Sequence, residues 1–116
     1  SVGFCPSPEM IPEVDAKMVA LAAQAGDPVA GEIIGISAGY LGLGLSILID
    51  ILNPECIVIG SIYARNEALF KTLIDPVLER EAIPSALGVC RIKPAELGDS
   101  IGDYAALCVA LYQDKF

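Results

Sequence analysis

Asn53-Pro54-Glu55-Cys56-Ile57-Val58-Ile59-Gly60 is the stretch on which the fold turns. The Asn-Pro pair ends whatever helix precedes it, because a residue before proline is driven out of the helical region. Cys56-Ile57-Val58-Ile59 is then a short, continuous apolar run closed by a glycine. A strand with one wet face would alternate. An unbroken run of this length predicts a strand covered on both faces, as in a parallel sheet.

Upstream, Asp27-Pro28 is a helix start: the carboxylate caps and the proline suits the first turn. The helix it opens is predicted to run over residues 28–52. Gly31, Gly35 and Gly39 recur every four residues and form one stripe, flat enough for close approach of another element. Residues 41–52 are apolar nearly all round, which predicts burial on most faces. An earlier helix is expected over 13–25, with Val14, Met18, Leu21 and Ala22 on one side and Gly26 as its stop. Pro6, Pro8 and Pro12 make residues 1–12 an extended leading segment, ahead of a domain over 13–116.

Downstream, residues 61–66 read as a loop and 67–81 as a helix with Leu69, Phe70, Leu73, Ile74 and Val77 inward and a kink or restart at Pro76. Residues 89–93 alternate and predict a second strand. A last helix over 101–112 presents Tyr104, Leu107, Cys108, Leu111 and Tyr112 at i, i+3, i+4, i+7 and i+8. The order is α-α-β-α-β-α, an α/β fold whose β-α-β unit requires parallel strands. Two parallel strands do not make a stable sheet, so the early strands must come from elsewhere. The chain opens on Ser1 without an initiator methionine and is expected to be an incomplete domain of a longer protein.

Composition narrows the partners. The 116 residues carry a net charge of −8, with seven scattered Lys and Arg, so this segment is not expected to touch nucleic acid or an anionic membrane. Hydrophobic residues make up 54%, more than one small core needs, which points to apolar surface covered from outside the chain. Residues 33–49 are uncharged but short for a span, broken by glycines and without basic anchors, so a buried helix is expected. No basic start or apolar core of a secretory signal opens the chain. Cys5, Cys56, Cys90 and Cys108 form no CxxC pair and there is no histidine, so no metal site is expected. Cys56, Cys90 and Cys108 sit in apolar runs and are expected to be free thiols in the core, in a reducing, cytoplasmic compartment.

Without histidine, Ser-His and Cys-His nucleophiles are excluded within the chain, and no catalytic residue is assigned. No GxxxxGK[ST] loop is present, and the glycines over residues 39–44 have the wrong spacing for a dinucleotide turn. Glu96, Asp99 and Asp103 are the densest acidic cluster. They suit a capped helix start better than a metal site, since one turn supplies too few oxygens. Gly60-Ser61, beyond the carboxyl end of the first strand, is where α/β sheets bind ligands. A small pair there admits a flat ring or a phosphate; an ordinary βα turn reads equally well.

Four segments in order resemble the C-terminal part of the ROK family, the sugar kinases and sugar-responsive repressors of the actin-like ATPase superfamily. They are Ala25-Gly26-Asp27-Pro28-Val29-Ala30, Tyr40-Leu41-Gly42-Leu43-Gly44-Leu45, Leu52 through Gly60, and Ala95-Glu96-Leu97-Gly98-Asp99 continuing through Gly102 to Ala105-Ala106. The resemblance implies a partial actin-like, RNase H-like ATPase domain lacking its early strands. It further implies ATP, with its Mg, in a cleft between two lobes of the complete protein, the nucleotide approaching Gly60 and Ser61. Ser61 stands where family kinases carry a second glycine; Ile101 and Ala105 also depart, mildly. The family's phosphate loop, catalytic aspartate and zinc motif are not in this sequence.

The resemblance therefore implies a fragment of a hexose kinase that retains no cofactor by itself. The alternatives are a fragment of a sugar-responsive transcriptional regulator, in which this half serves dimerisation and switching, and a non-enzymatic oligomerising module; in every case the chain is expected to form a homo-oligomer through exposed sheet edges or the glycine-striped helix. In each case the chain alone is expected to show no ATP-dependent hexose phosphorylation in a coupled assay; turnover by rigorously pure material would refute the incomplete-domain reading.

Overall fold

The computed structural model describes residues 3–113. Its helices are α1 (Ala16–Gln24), α2 (Pro28–Leu52), α3 (Ser61–Arg65), α4 (Glu67–Glu81), α5 (Pro84–Val89) and α6 (Ile101–Gln113). Strand β1 (Cys56–Ile59) lies between α2 and α3, and β2 (Arg91–Pro94) follows α5. Short 3-10 turns occupy Pro8–Glu13 and Gly98–Ser100. The predicted order is present, with two short helices added.

Side-chain caps set the boundaries of the first two helices. Asp15 accepts from the Met18 amide at 2.8 Å and starts α1 later than the apolar pattern predicts. Gly26, at φ 93°, ends it: its amide donates to the Ala23 carbonyl at 3.1 Å and that of Asp27 to Ala22 at 3.0 Å. Those two bonds form a Schellman closure. Asp27 then accepts from the Ala30 amide at 2.9 Å, and Pro28 opens α2. The left-handed Asn53 closes α2 at the predicted place. The three prolines do not extend the leading segment. Their fixed φ also fits a 3-10 turn, which Pro8–Glu13 adopts.

β1 and β2 pair in parallel, Cys56 opposite Arg91 through Ile59 opposite Pro94. The bond from the Arg91 amide to Glu55 and that from Ala95 to Ile59, both 2.9 Å, bracket the register. The second strand starts two residues later than predicted, because Pro84 opens a helix that carries Val89 with it and leaves Cys90 as its cap.

The core is one-sided. Ala30, Ile34, Ala38, Leu45 and Ile49 of α2 pack with Val19 and Ala20 of α1 and with Phe70, Ile74 and Leu78 of α4. Gly42 marks the closest approach: a Cβ there would lie 2.8 Å from both Cβ and Cγ1 of Val77. The stripe of Gly31, Gly35 and Gly39 faces nothing within 4 Å, so the anticipated contact at that stripe is not made within the chain. Ser46, buried among apolar neighbours, donates to the Gly42 carbonyl at 2.8 Å. Asp50 accepts from the Ile83 amide at 2.8 Å and ties the α4–α5 joint to α2. α4 continues through Pro76, where a kink or restart was predicted.

Three predicted burials are not realised. Leu43, Ile47, Leu48, Ile51 and Leu52 of α2 are exposed, so this helix is covered along one face only. β1 buries Ile57 and Ile59 partly and exposes Cys56 and Val58, so it is not covered on both faces. α6 is exposed over residues 101–112, including Tyr104, Leu107, Cys108, Leu111 and Tyr112. Cys56 and Cys108 are therefore surface thiols rather than core residues; all four cysteines are free. The physical reason is common to all three: the sequence carries an apolar pattern whose covering elements are not among the described residues. Among those residues, α2 is the one helix long and apolar enough to cross a membrane.

The dimensions agree. The chain spans 52 × 42 × 18 Å with a radius of gyration of 17.3 Å, against about 13 Å for a compact domain of roughly this length. Its accessible surface is 7918 Å², whereas a closed monomer of this mass exposes about 6,000 Å².

Gly42→Ala is expected to destabilise the protein by about 1–2 kcal/mol net, overpacking outweighing the gain in helix propensity. Adding Val77→Ala should recover part of the loss. Gly44→Ala, where a Cβ meets nothing within 4 Å, should instead stabilise by about 0.5–1 kcal/mol. Urea midpoints of the three variants check this.

Candidate functional site

The candidate turn lies at the carboxyl end of β1, where the strand passes directly into α3. Gly60 is the N-cap, with φ −94° and ψ −160°, and Ser61 follows at φ 56°. The left-handed conformation therefore falls on the serine and not on the glycine. For a residue with a Cβ it costs about 1–2 kcal/mol. Asn53 is the other described non-glycine residue with positive φ, and asparagine at a helix end tolerates it. A Cβ placed on Gly60 would meet Ala95 at 3.8 Å, an ordinary contact. The chain itself therefore does not close the space over Gly60.

Ser61 lines a cleft of about 450 Å³ between α1 and α3, with Ala16, Lys17, Leu21 and Gln24 on one wall and Ile62, Arg65 and Asn66 on the other. The two walls are joined at the end by one long-range bond. Gln24 Nε2 donates to Asn66 Oδ1 at 2.9 Å, while Asn66 Nδ2 donates to the Ile62 carbonyl at 3.0 Å. Asn66 is thus held by its own helix and offers α1 a fixed acceptor. On the same helix Tyr63 is buried against Phe70, ring centroids 6.2 Å apart and planes tilted by 57°. Burial, reinforced by the nearby Glu67 carboxylate, pushes the Tyr63 phenol above its ordinary pKa.

Lys17 and Arg65 give the cleft two positive groups in a chain of net charge −8. The lining thus combines the Ser61 residue and two basic residues with the Gln24–Asn66 amide pair, whose members already bond each other and the Ile62 carbonyl. Sequence reading found Gly60 and Ser61 but not Lys17, Gln24, Arg65 or Asn66. Gln24 and Asn66 stand 42 residues apart, and no local pattern links them.

The acidic cluster is distributed along a turn and a helix start. Glu96 precedes the 3-10 turn, Asp103 lies in the first turn of α6, and the side chain of Asp99 lies outside the described residues. Among the described residues no three His, Cys, Asp or Glu side chains converge as a metal site.

Cys90 lies at the opposite end of β2 from the cleft. Burial first, and then the neighbouring Cys56, push its thiol up; a hydrogen bond from the Ile57 backbone partly offsets this. A raised thiol pKa favours the neutral form in the folded state. The associated stability is present below the ordinary thiol pKa and is lost as pH rises through the folded value. At about pH 8 Cys90 should therefore alkylate more slowly than the exposed Cys56 and Cys108, and the gap should close as pH rises. Mass spectrometry of timed iodoacetamide reactions reads the order.

Comparison with known proteins adds three findings. The family model described as ROK family matches residues 10–113. A protein of Clostridium perfringens (strain 13 / Type A), described as uncharacterized, is 31% identical over 77 residues, which is 66% of this chain and 26% of that protein. The crystal structure of a ROK family transcriptional regulator, described as a homolog of the E. coli MLC protein, superposes with a TM-score of 0.65 at 25% identity. That superposition covers 73% of this chain and 22% of the regulator. The match thus spans about a quarter of the length of either relative.

Proposed function

The chain belongs to the ROK family, and from that premise we propose that it is the C-terminal part of a sugar-responsive transcriptional regulator. The likeness to a solved ROK regulator carries the reading. Two features of the chain agree with it. Ser61, at φ 56°, puts a side chain at the position that the resemblance matches to a glycine of family kinases. The large apolar surface on α2, β1 and α6 suits a part whose work is assembly.

In this proposal the segment makes no contact with DNA, in keeping with its charge of −8. It joins the rest of its own polypeptide and a second copy of the protein. A sugar bound elsewhere in the complete protein changes how those parts meet. The complete protein works inside the cell, where the free thiols stay reduced.

A second reading, a hexose kinase using ATP and Mg, is favoured by one observation. The cleft beside Ser61 has Lys17 and Arg65 on its walls at the carboxyl end of a parallel strand, the side on which α/β folds take nucleotides.

The intact protein separates the two. As a regulator it binds DNA from its own promoter region in a gel shift, a hexose from a panel releases it, and no sugar is phosphorylated with ATP and Mg. Sustained ATP-dependent phosphorylation of a hexose without DNA binding would replace the regulator by the kinase.

A further inference from the structure

We infer that two copies of the protein pair along the uncovered side of α2, in an antiparallel register centred on Ala38. Val29, Ile33, Ile36, Tyr40, Leu43 and Ile47 are all exposed and follow one another at intervals of four, three, four, three and four residues. That is the a/d repeat of a coiled-coil seam. At about 100° per residue the six positions fall within an arc of about 80° around the helix, and Ala38 and Leu45, which face the core, lie on the far side. An apolar stripe meant for a domain core is wider, at least about 100°. The flanks of this seam are Glu32 and Gly39 on one side and Ser37 and Gly44 on the other, polar or without a side chain. The charged residues of α2, Glu32 and Asp50, both fall outside the seam.

The spacing reads the same in both directions. Turning a second copy end for end about Ala38 sets Val29 against its Ile47, Ile33 against its Leu43 and Ile36 against its Tyr40, and the same pairs recur in reverse order. Every layer joins an a position of one copy to a d position of the other, so the two sets of side chains stay in step over a seam of about 27 Å. Glu32 comes opposite Gly44 of the second copy, and no charge meets a like charge. The pairing is two-fold and closes on itself, so it gives a dimer and not a filament.

A receptor for the second copy is already formed. Ile36, Gly39, Tyr40 and Leu43 line a groove of about 300 Å³ with Arg80 of α4. Four residues at i, i+3, i+4 and i+7 make the hole into which a coiled-coil knob inserts. In the antiparallel register that knob is Ile36 of the second copy. Gly39 keeps the hole open, since a Cβ there would meet nothing within 4 Å. The area also suffices. The chain exposes 7918 Å², where a closed monomer of its mass exposes about 6,000 Å², and a stable dimer needs roughly 800 Å² from each partner. A second copy on α2 thus leaves β1 and α6 for the rest of the polypeptide. The pairing deepens the regulator reading, in which two copies meet, and rests on it for its use; the seam itself does not.

Sedimentation equilibrium and disulfide mapping on the intact protein test this. The wild type is expected to be a dimer. Gly39→Leu fills the hole from a position that has room for a side chain, so the fold should stand while the dimer dissociation constant rises roughly tenfold or more. Ile36→Asp puts a carboxylate into the seam and should raise it by about a hundredfold or more. Circular dichroism checks the fold of both. Oxidation of an equal mixture of Ile36→Cys and Tyr40→Cys proteins should join position 36 of one copy to position 40 of the other, a disulfide that neither variant can form alone; peptide mapping reads it, and it decides the matter should the charged variant fail to fold. A monomeric wild type, a folded Gly39→Leu or Ile36→Asp variant that dimerises as tightly as the wild type, or a mixture without the 36–40 disulfide overturns the inference and places the seam under the rest of the polypeptide. The regulator reading is judged apart from this, by DNA binding of the wild type: a protein that binds its promoter without the seam dimer sinks the pairing alone, and a seam dimer that phosphorylates a hexose sinks the regulator alone.

Discussion

The approach of α2 to α4 at Gly42 and Val77 is the constraint on which the rest of the structure depends. With no side chain at residue 42, the two helices meet closely enough for Leu45 and Ile49 to pack with Phe70, Ile74 and Leu78. α4 cannot move away from α2 without opening that core. Its amino end then fixes Asn66, and Asn66 fixes α1 through Gln24. The cleft beside Ser61 is the space left between α1 and α3 once those contacts are made. A helix packing distance some 18 residues from the turn in sequence thereby sets the geometry of the candidate site.

That core secures one side of a flat body. α2 runs 25 residues, about 37 Å, with apolar residues all round, yet α1 and α4 cover only one flank. Tyr40 and Ile51 are each 74% exposed on the other. The two strands present Val58 outward, and α6 lies exposed beyond them. Surface of this kind is costly in water and is found where another element or chain sits. The comparisons agree in scale, because the chain matches about a quarter of the length of its relatives.

The turn at Gly60-Ser61 differs from the core in kind. Packing determines where α2 and α4 lie; the turn instead carries a positive φ at the junction of a strand and a short helix. The strain falls on a serine, while the neighbouring glycine keeps a φ of −94° that other residues also adopt. Cleft walls of Lys17, Gln24, Arg65 and Asn66 supply charge and amides around it.

Local signals in the sequence determined much of this protein. Asp27-Pro28 and Asn53-Pro54 bounded α2 at its observed ends, the run at Cys56 marked β1, and the ordered motifs around Gly60 and Gly98 marked the family. Caps, turns and strand runs act over a few residues, so they can be read without the fold. The tertiary structure alone decided the rest. It chose Gly42 over the Gly31–Gly35–Gly39 stripe as the point of close approach, since α4 happens to lie there. It left α6 and half of α2 open, since periodicity records that a face is apolar and not whether its cover belongs to the same chain. It also joined Gln24 to Asn66 and put Ser61, not Gly60, in the left-handed conformation. Those outcomes depend on contacts between residues far apart in sequence and on how a strand enters a helix, and no local pattern encodes either.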